Sequence, residues 1–209
     1  MRRLLLASEN KKKLAELTRL LAPLACEVVL PSSIGGLPKV DEDQMTFRGN
    51  AEKKASSAAR ASGLWALADD SGLEVDALNG APGVLSARFA GTHGDDAANN
   101  ALLLAKLEGL PDARRGARFV CALSLARPDG AIALSIEGTA RGKILVAPRG
   151  DGDFGYDPLF LFTEPGFPQT GKGFAELSLD EKSTISHRGR ALAELVRRLP
   201  SVAGLTNAR

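Results

Sequence analysis

The sequence predicts a mixed α/β protein, and three patterns carry that expectation. Near the N-terminus, apolar runs of strand length alternate with stretches of helical periodicity, from Leu4 to Ala68. In the middle, two apolar runs flank Pro128-Asp129-Gly130, a strong hairpin signal. Toward the end, a capping box and an amphipathic stretch announce closing helices. Alternation followed by a hairpin implies a mixed β-sheet with flanking helices, with room for two lobes around a cleft.

Each element has a local reason. Leu4-Leu5-Leu6-Ala7 reads as a short buried strand, and Ser8-Glu9-Asn10 offers capping side chains for a helix whose apolar face is Leu14, Leu17, Leu20 and Leu21. Cys26 to Leu30 is a second strand, followed by a Gly/Pro loop through Pro38. Asn50 to Ser62 is rich in Ala and Lys and closes at Gly63, which suits a helix with a C-terminal glycine. Leu64 to Ala68 is apolar and leads into Asp69-Asp70-Ser71-Gly72, which reads locally as the strand's end or a turn. Ala97 to Leu107 is a helix bounded by Pro111. Arg118 to Ala126 and Ala131 to Glu137 are the hairpin strands, and Leu159 to Phe162 is a later strand behind the glycine-rich loop Arg149 to Gly155. Ser178 and Glu181 form the capping box, and the last helix, His187 to Leu199, is stopped by Pro200. One domain over 1–200 with a loose tail over 201–209 is expected.

At 209 residues, 44% hydrophobic and 25% charged, the chain is ordinary for a soluble globular protein with a substantial core. Only 5% is aromatic, so a core of Leu, Val and Ala is expected. The net charge of +2, from 27 basic and 25 acidic residues, is too balanced for a nucleic-acid surface. The apolar run near the N-terminus stops after Ala7, too short for a secretory h-region, and no stretch approaches membrane-spanning length. A cytoplasmic location, with no nucleic-acid or membrane partner, is the expectation. Cys26 and Cys121 lie in apolar contexts without a CxxC and read as buried reduced thiols. With only His93 and His187, remote from both cysteines, a zinc site is excluded; a metal would be held by oxygen ligands, which points to magnesium or manganese.

Four segments carry chemistry. The first is Ser8-Glu9-Asn10-Lys11-Lys12-Lys13, where a strand enters a helix N-terminus whose free N–H groups suit phosphate. Three lysines in a first turn oppose the helix dipole, a penalty that a bound polyphosphate reverses; a solvated lysine face is the equally simple alternative. The second is Asp69-Asp70-Ser71-Gly72, where strand alternation lets only one aspartate enter a given cleft. The third is Asp153-Phe154-Gly155-Tyr156-Asp157-Pro158, two aromatics with glycine and an acid, able to stack on and read a base or simply to pack as a turn. The fourth runs from Glu181 to Arg190, with Lys182, His187 and Arg188 crowding a helix start that an anionic or carbonyl ligand would relieve, or simply forming a polar corner between two helices. Gly166 to Gly173 nearly fits a P-loop, but Gly173 stands where a Ser or Thr hydroxyl is required and Pro168 removes a backbone donor, so it is rejected.

Together and in this order these segments resemble the inosine triphosphate pyrophosphatase family, the dITP/XTP pyrophosphatases. The matching runs are SENKKK (8–13), TFRGNAEKKA (46–55), ADDSGLEVDALNGAPGVLSARFAG (68–91), GDFGYDPLF (152–160) and FAELSLDEKSTISHRGRAL (174–192), spread over nearly the whole chain. Glu9 departs from the pattern, since the family often has glycine there; its side chain must point away from the phosphates or contact the metal. The resemblance implies an elongated two-lobed fold, a homodimer, magnesium (or manganese) as cofactor, and hydrolysis of ITP, dITP and XTP to monophosphate and pyrophosphate. It implies a triphosphate loop at Ser8 to Lys13 with Lys54 as a further basic position, metal-binding acids at Glu42 and Asp70, and Ser71 as a substrate contact. Asp70 is also the implied proton acceptor; metal binding and water orientation both remain open for it. The implied base pocket is Phe154, Gly155, Tyr156, Asp157, Lys182, His187 and Arg188. A pyrophosphatase for other modified nucleotides and a non-catalytic nucleotide- or RNA-binding module are the competing readings.

Overall fold

Eleven helices and strands fold around one six-stranded mixed sheet in the computed structural model, which describes residues 2–22 and 26–205. The strands are β1 (Arg2–Leu6), β2 (Cys26–Val29), β3 (Trp65–Val75), β4 (Gly116–Ala126), β5 (Ile132–Ile144) and β6 (Phe160–Phe162), in the order β2-β1-β3-β4-β5-β6. The helices are α1 (Lys11–Leu21), α2 (Phe47–Ser62), α3 (Asp96–Lys106), α4 (Leu179–Ile185) and α5 (His187–Arg198). β1 pairs in parallel with β2, Leu4 beside Val28, and with β3, Leu5 beside Ala66; β5 and β6 pair antiparallel, Gly142 beside Phe162. Parallel neighbours need crossovers, which α1 and α2 supply; β4 and β5 need only the turn at 127–131, where the Arg127 N–H donates to the Ala131 carbonyl at 2.9 Å.

The chain divides into two compact units, Met1–Asp70 with Ala122–Glu137 and Ala191–Arg209, and Ser71–Cys121 with Gly138–Arg190. The first unit has the expected small-residue core. Ala55, Ala58 and Ala59 of α2 pack with Leu5, Val29, Ala66, Ala68 and Ala126, the alanines at helical spacing letting α2 lie close. Leu17 and Leu21 of α1 and Leu192 and Leu195 of α5 are buried as their periodicity predicts. The second unit departs from expectation: its core contains Phe119, Phe160, Phe162, Phe174 and Tyr156 among its leucines. A scarcity of aromatics in the chain conceals their concentration in one place.

Two caps behave as read from sequence: Gly63 ends α2 at φ +67°, and Ser178 and Glu181 form the capping box of α4. At its start α2 begins at Phe47 rather than Asn50, because Thr46 Oγ1 accepts the Gly49 N–H at 3.0 Å and caps it. Other boundaries differ too. β3 continues through Asp69-Asp70-Ser71-Gly72 to Val75 instead of ending there, because pairing within the sheet overrides the local turn preference of those residues. β5 passes Gly138 and Gly142 to reach Ile144. At the C-terminal end Leu199–Ser201 forms a 3-10 turn and Val202 and Leu205 are buried, while 206–209 of the expected tail lie outside the described residues. Both cysteines are buried thiols, as expected. No helix among the described residues is long and apolar enough to cross a membrane.

Gly142 is glycine because of the β5–β6 approach: a Cβ there would lie 2.3 Å from the Leu161 carbonyl oxygen and 2.5 Å from the Phe160 ring. Gly142→Ala is therefore expected to cost about 2 kcal/mol or more by overpacking. Thermal denaturation should show Tm lowered by roughly 4–8 °C, and an unchanged Tm would contradict that packing.

Candidate functional site

Two clusters of polar side chains stand out, one in each unit. The first forms where β1 hands the chain to α1. The Ala7 N–H donates to the Leu67 carbonyl at 2.8 Å, tying the loop to β3. Ser8 Oγ accepts the Asn10 N–H and Asn10 Oδ1 accepts the Lys13 N–H, each at 3.2 Å, so the loop caps its own helix. The first turn of α1 carries Lys11, Lys12 and Lys13 and no acid. Lys11 is exposed, and the side chain of Lys12 lies outside the described ones.

β3 supplies the acids. Consecutive residues of a strand face opposite ways, and each aspartate finds its own lysine. Asp69, 9% exposed, takes both carboxylate oxygens to Lys13 Nζ at 2.9 and 2.6 Å. Asp70 accepts from Asn50 Nδ2 at 3.1 Å and Lys54 Nζ at 3.2 Å, two donors presented one turn apart by α2. The Lys54 ammonium also meets Glu42 Oε1 at 3.1 Å, so it joins the two carboxylates. Burial pushes the Asp70 carboxyl above the ordinary aspartate value, with the Lys54 charge opposing it. For Lys54 burial pulls downward, but the carboxylates of Asp70 and Glu42 outweigh it and hold the ammonium above the ordinary lysine value. Ser71 follows on β3 and is exposed.

Of these groups Glu42 and Lys54 line a cavity of about 290 Å³, with Ser8 and Glu9 completing its polar wall and Pro31, Leu37, Pro38 and Val40 in its apolar one. Glu9 turns away from the phosphate-type donors: its carboxylate accepts from the Ser32 N–H at 2.9 Å and Ser32 Oγ at 3.1 Å. A larger cavity of about 380 Å³, beside Leu104, Leu110 and Val146, offers no comparable chemistry. Its one buried cation, Arg115, donates to the carbonyls of Leu107, Ile144 and Leu145.

A hard cation fits the first cluster. Glu42 and Asp70 already point oxygens at one shared positive charge, Lys54 Nζ, and such donors suit magnesium. Among the described residues no group of three His, Cys, Asp or Glu side chains could hold a metal. A metal held by these two carboxylates would take its remaining ligands from water or a bound anion.

The second cluster surrounds the loop before β6. Tyr156 is buried with its hydroxyl donating to the Ser86 carbonyl at 2.9 Å; burial, with the nearby charge of Asp96, pushes that hydroxyl's pKa far up. Asp157, 5% exposed, forms an ion pair with Lys182. Burial raises its carboxyl, the Lys182 charge opposes this, and Asp96 adds to the rise. The same ammonium lies 5.7 Å from the ring centre of Phe154, which is 78% exposed, and 5.5 Å from that of Phe174. Phe174 stacks on Phe119 at 5.7 Å, and Phe119 on His187 at 4.8 Å, so a row of rings joins Lys182 to the start of α5. Arg188 is the second residue of α5 and half-buried. Gly155, at φ +56°, has its N–H on Asp96 Oδ2 and its carbonyl on Asn100 Nδ2, both at 2.8 Å.

The structure thus gathers Ser8, Asn10, Lys13, Glu42, Lys54 and Asp70 in one unit, and Phe154 to Asp157 with Lys182 and His187 in the other. Sequence reasoning missed Asn50, Ser32, Asp96 and Asn100, and named Asp69 only as one of two aspartates in its segment. Asn50 alone left a trace, as a polar residue four positions before Lys54 in an alanine-rich helix; it is 0% exposed, holding the Gln44 N–H as well as Asp70.

Comparison with known proteins is consistent across sequence and structure. The family model described as Ham1 family matches residues 4–198. A dITP/XTP pyrophosphatase of Syntrophobacter fumaroxidans is 53% identical over 206 residues, covering 99% of this chain and 85% of that protein. One from Nocardia farcinica is 50% identical over 211 residues, covering 99% and 98%. A solved HAM1 protein from Coxiella burnetii superposes with a TM-score of 0.88 at 41% identity, covering 96% of this chain and 100% of that one. A solved nucleoside-triphosphatase / dITP/XTP pyrophosphatase from Mycobacterium abscessus gives 0.79 at 49% identity, covering 92% and 98%. With a model match over nearly its full length and relatives at half identity, this chain belongs to the Ham1 family.

Proposed function

We propose that the chain hydrolyses non-standard purine nucleoside triphosphates, ITP, dITP and XTP, to the monophosphate and pyrophosphate, with magnesium, and so keeps them out of DNA and RNA. The observation that carries this is the Lys54 ammonium held between Glu42 and Asp70 on the wall of the cavity that Ser8 and Glu9 also line. A capped loop at a lysine-rich helix start, two acids sharing a cation, and a pocket between them suit a polyphosphate and a hard metal. The names of the family relatives support the substrate class. The resemblance further supports a cytoplasmic homodimer.

On this reading the helix start of α1, with Ser8, Asn10, Lys11, Lys12 and Lys13, takes the phosphates, and Lys54 follows the charge that develops on the leaving pyrophosphate. Bound magnesium supplies charge neutralisation at the phosphoryl oxygens. Glu42 and Asp70 would hold it, and Asp70, whose carboxyl burial raises, would orient the attacking water or take its proton. Ser71, next along β3, contacts the substrate. Phe154 stacks on the base, with Gly155, Tyr156 and Asp157 shaping that loop, and Lys182, His187 and Arg188 offer donors to the purine 6-oxygen. Adenine presents an amino group there, leaving a buried donor without a partner at a cost of about 1–3 kcal/mol.

Pyrophosphate release from ITP, dITP and XTP is expected to exceed that from GTP and ATP strongly and to stop with chelator; release from none of the first three sinks the proposal. Asp70→Asn should keep the fold and lose about a hundredfold or more in kcat, and retained turnover removes Asp70 from its role. In the metal-free enzyme the Asp70 carboxyl, followed by NMR, should titrate above the ordinary aspartate value because burial raises it. Lys54→Met removes the cation that opposes this rise, so the titration should move further up; one at or below the ordinary value contradicts the burial of that carboxyl.

A further inference from the structure

Gly155 is held at both of its backbone polar groups by a single helix. Asp96 and Asn100 lie four residues apart on α3, on one face. Asp96 Oδ2 accepts the Gly155 N–H and Asn100 Nδ2 donates to the Gly155 carbonyl, each at 2.8 Å. Loop backbone groups ordinarily turn to water; here side chains from 59 and 55 residues away replace it. The glycine is required by its φ of +56°, since no neighbour lies within 4 Å of a Cβ built there, so the backbone conformation itself is what the two contacts lock.

Two further observations bear on the pair. Asn100 Oδ1 is buried without a hydrogen-bond partner, so the residue is matched to the loop through its donor alone. Asp96 sits in the first turn of α3 beside the N-cap Asp95, where its charge is favoured, and it also bears electrostatically on Tyr156 and Asp157, the two residues after Gly155. The loop is thus gripped at 155, anchored at 156 through the Tyr156 hydroxyl on Ser86, and paired at 157 with Lys182.

We propose that Asp96 and Asn100 are positioning residues for base recognition: by fixing Gly155 they set where Phe154 and the Asp157–Lys182 pair stand, and so how well the enzyme tells one purine from another. This rests on the reading of the 153–157 loop as the end that meets the base. Neither residue touches substrate in this account; each acts through the loop.

The test uses the full chain with Asp96→Ala, Asp96→Asn, Asn100→Ala and, as a reference, Phe154→Ala. Amide exchange at Gly155 by NMR, Tm, and kcat and KM for ITP and ATP are read in each. In Asp96→Ala the Gly155 amide should exchange about tenfold faster or more. KM for ITP should rise about tenfold, the size of one lost charge-assisted hydrogen bond, with kcat within about threefold. Asp96→Asn keeps an acceptor oxygen and should recover most of the KM; Asn100→Ala should lower the ITP-to-ATP ratio of kcat/KM. Where Asp96→Ala lowers Tm too far to assay, Asp96→Asn and Asn100→Ala decide. Unchanged Gly155 exchange in folded variants, or equal losses on ITP and ATP, overturns the proposal. If Phe154→Ala shifts the ratio while the α3 variants do not, the base-loop reading stands and the positioning role falls. If Phe154→Ala shifts nothing, the base-loop reading falls and takes the positioning role with it.

Discussion

Asp69 and Asp70 occupy the fifth and sixth positions of an eleven-residue strand whose preceding residues, Ala66 to Ala68, are fully buried. An unpaired carboxylate at such a place costs several kcal/mol. Because a strand turns its side chains alternately, no single cation can serve both. The first unit answers with two lysines from two helices, Lys13 of α1 on one aspartate and Lys54 of α2 on the other. Much of the local architecture follows from that demand: α1 must begin with lysines despite its dipole, and α2 must carry Asn50 and Lys54 on its β3-facing side. Neither lysine is therefore a free cation awaiting phosphate. Each is preorganised by an acid, which lowers the entropic cost of aligning it with a ligand.

The second unit solves a different problem with different material. Its core aromatics give stiff, flat surfaces, and the row Phe174, Phe119 and His187 carries the start of α5 at a fixed place relative to Lys182. On the proposed reading this unit meets the base, and discrimination between bases depends on closely placed donors. A cation between Phe154, Phe174 and a buried Asp157 has little room to wander. The first cluster is built on salt bridges that recruit charge and the second on rings that hold shape.

Legibility from sequence tracked the range of the interactions involved. Caps and turns are decided within four residues, so Gly63, the Ser178–Glu181 box and the 128–130 turn could be read directly. The DDSG segment could not: Asp, Ser and Gly favour turns locally, and it takes pairing within the sheet, with cations 56 and 16 residues away at Lys13 and Lys54 for the two acids, to override that preference. The roles proposed for Glu42 and Asp70 rest on resemblance, since a pair of acids 28 positions apart carries no spacing signal of its own. Asp96 and Asn100 were invisible for the same reason; an Asp-Ala-Ala-Asn-Asn run opening a helix reads as capping and surface until the loop it grips is in view.

Glu9 shows how a departure from a family pattern is absorbed. The 3-10 turn Pro31–Ile34 begins at Leu30, which has no side-chain cap to offer. Glu9 supplies the missing acceptor from another segment, taking the Ser32 N–H and hydroxyl. Glu9 nevertheless lines the cavity, and on the proposed reading its negative charge repels a polyphosphate at short range. In the first turn of α1, Lys13 is already paired with Asp69 of β3. With Glu9 and Asp69 set against them, the three lysines of the α1 start keep only one formal positive charge in excess, to which Lys54 and the helix N-terminus add. On the proposed reading, three lysines rather than one are what a phosphate loop needs once it has taken a glutamate into itself.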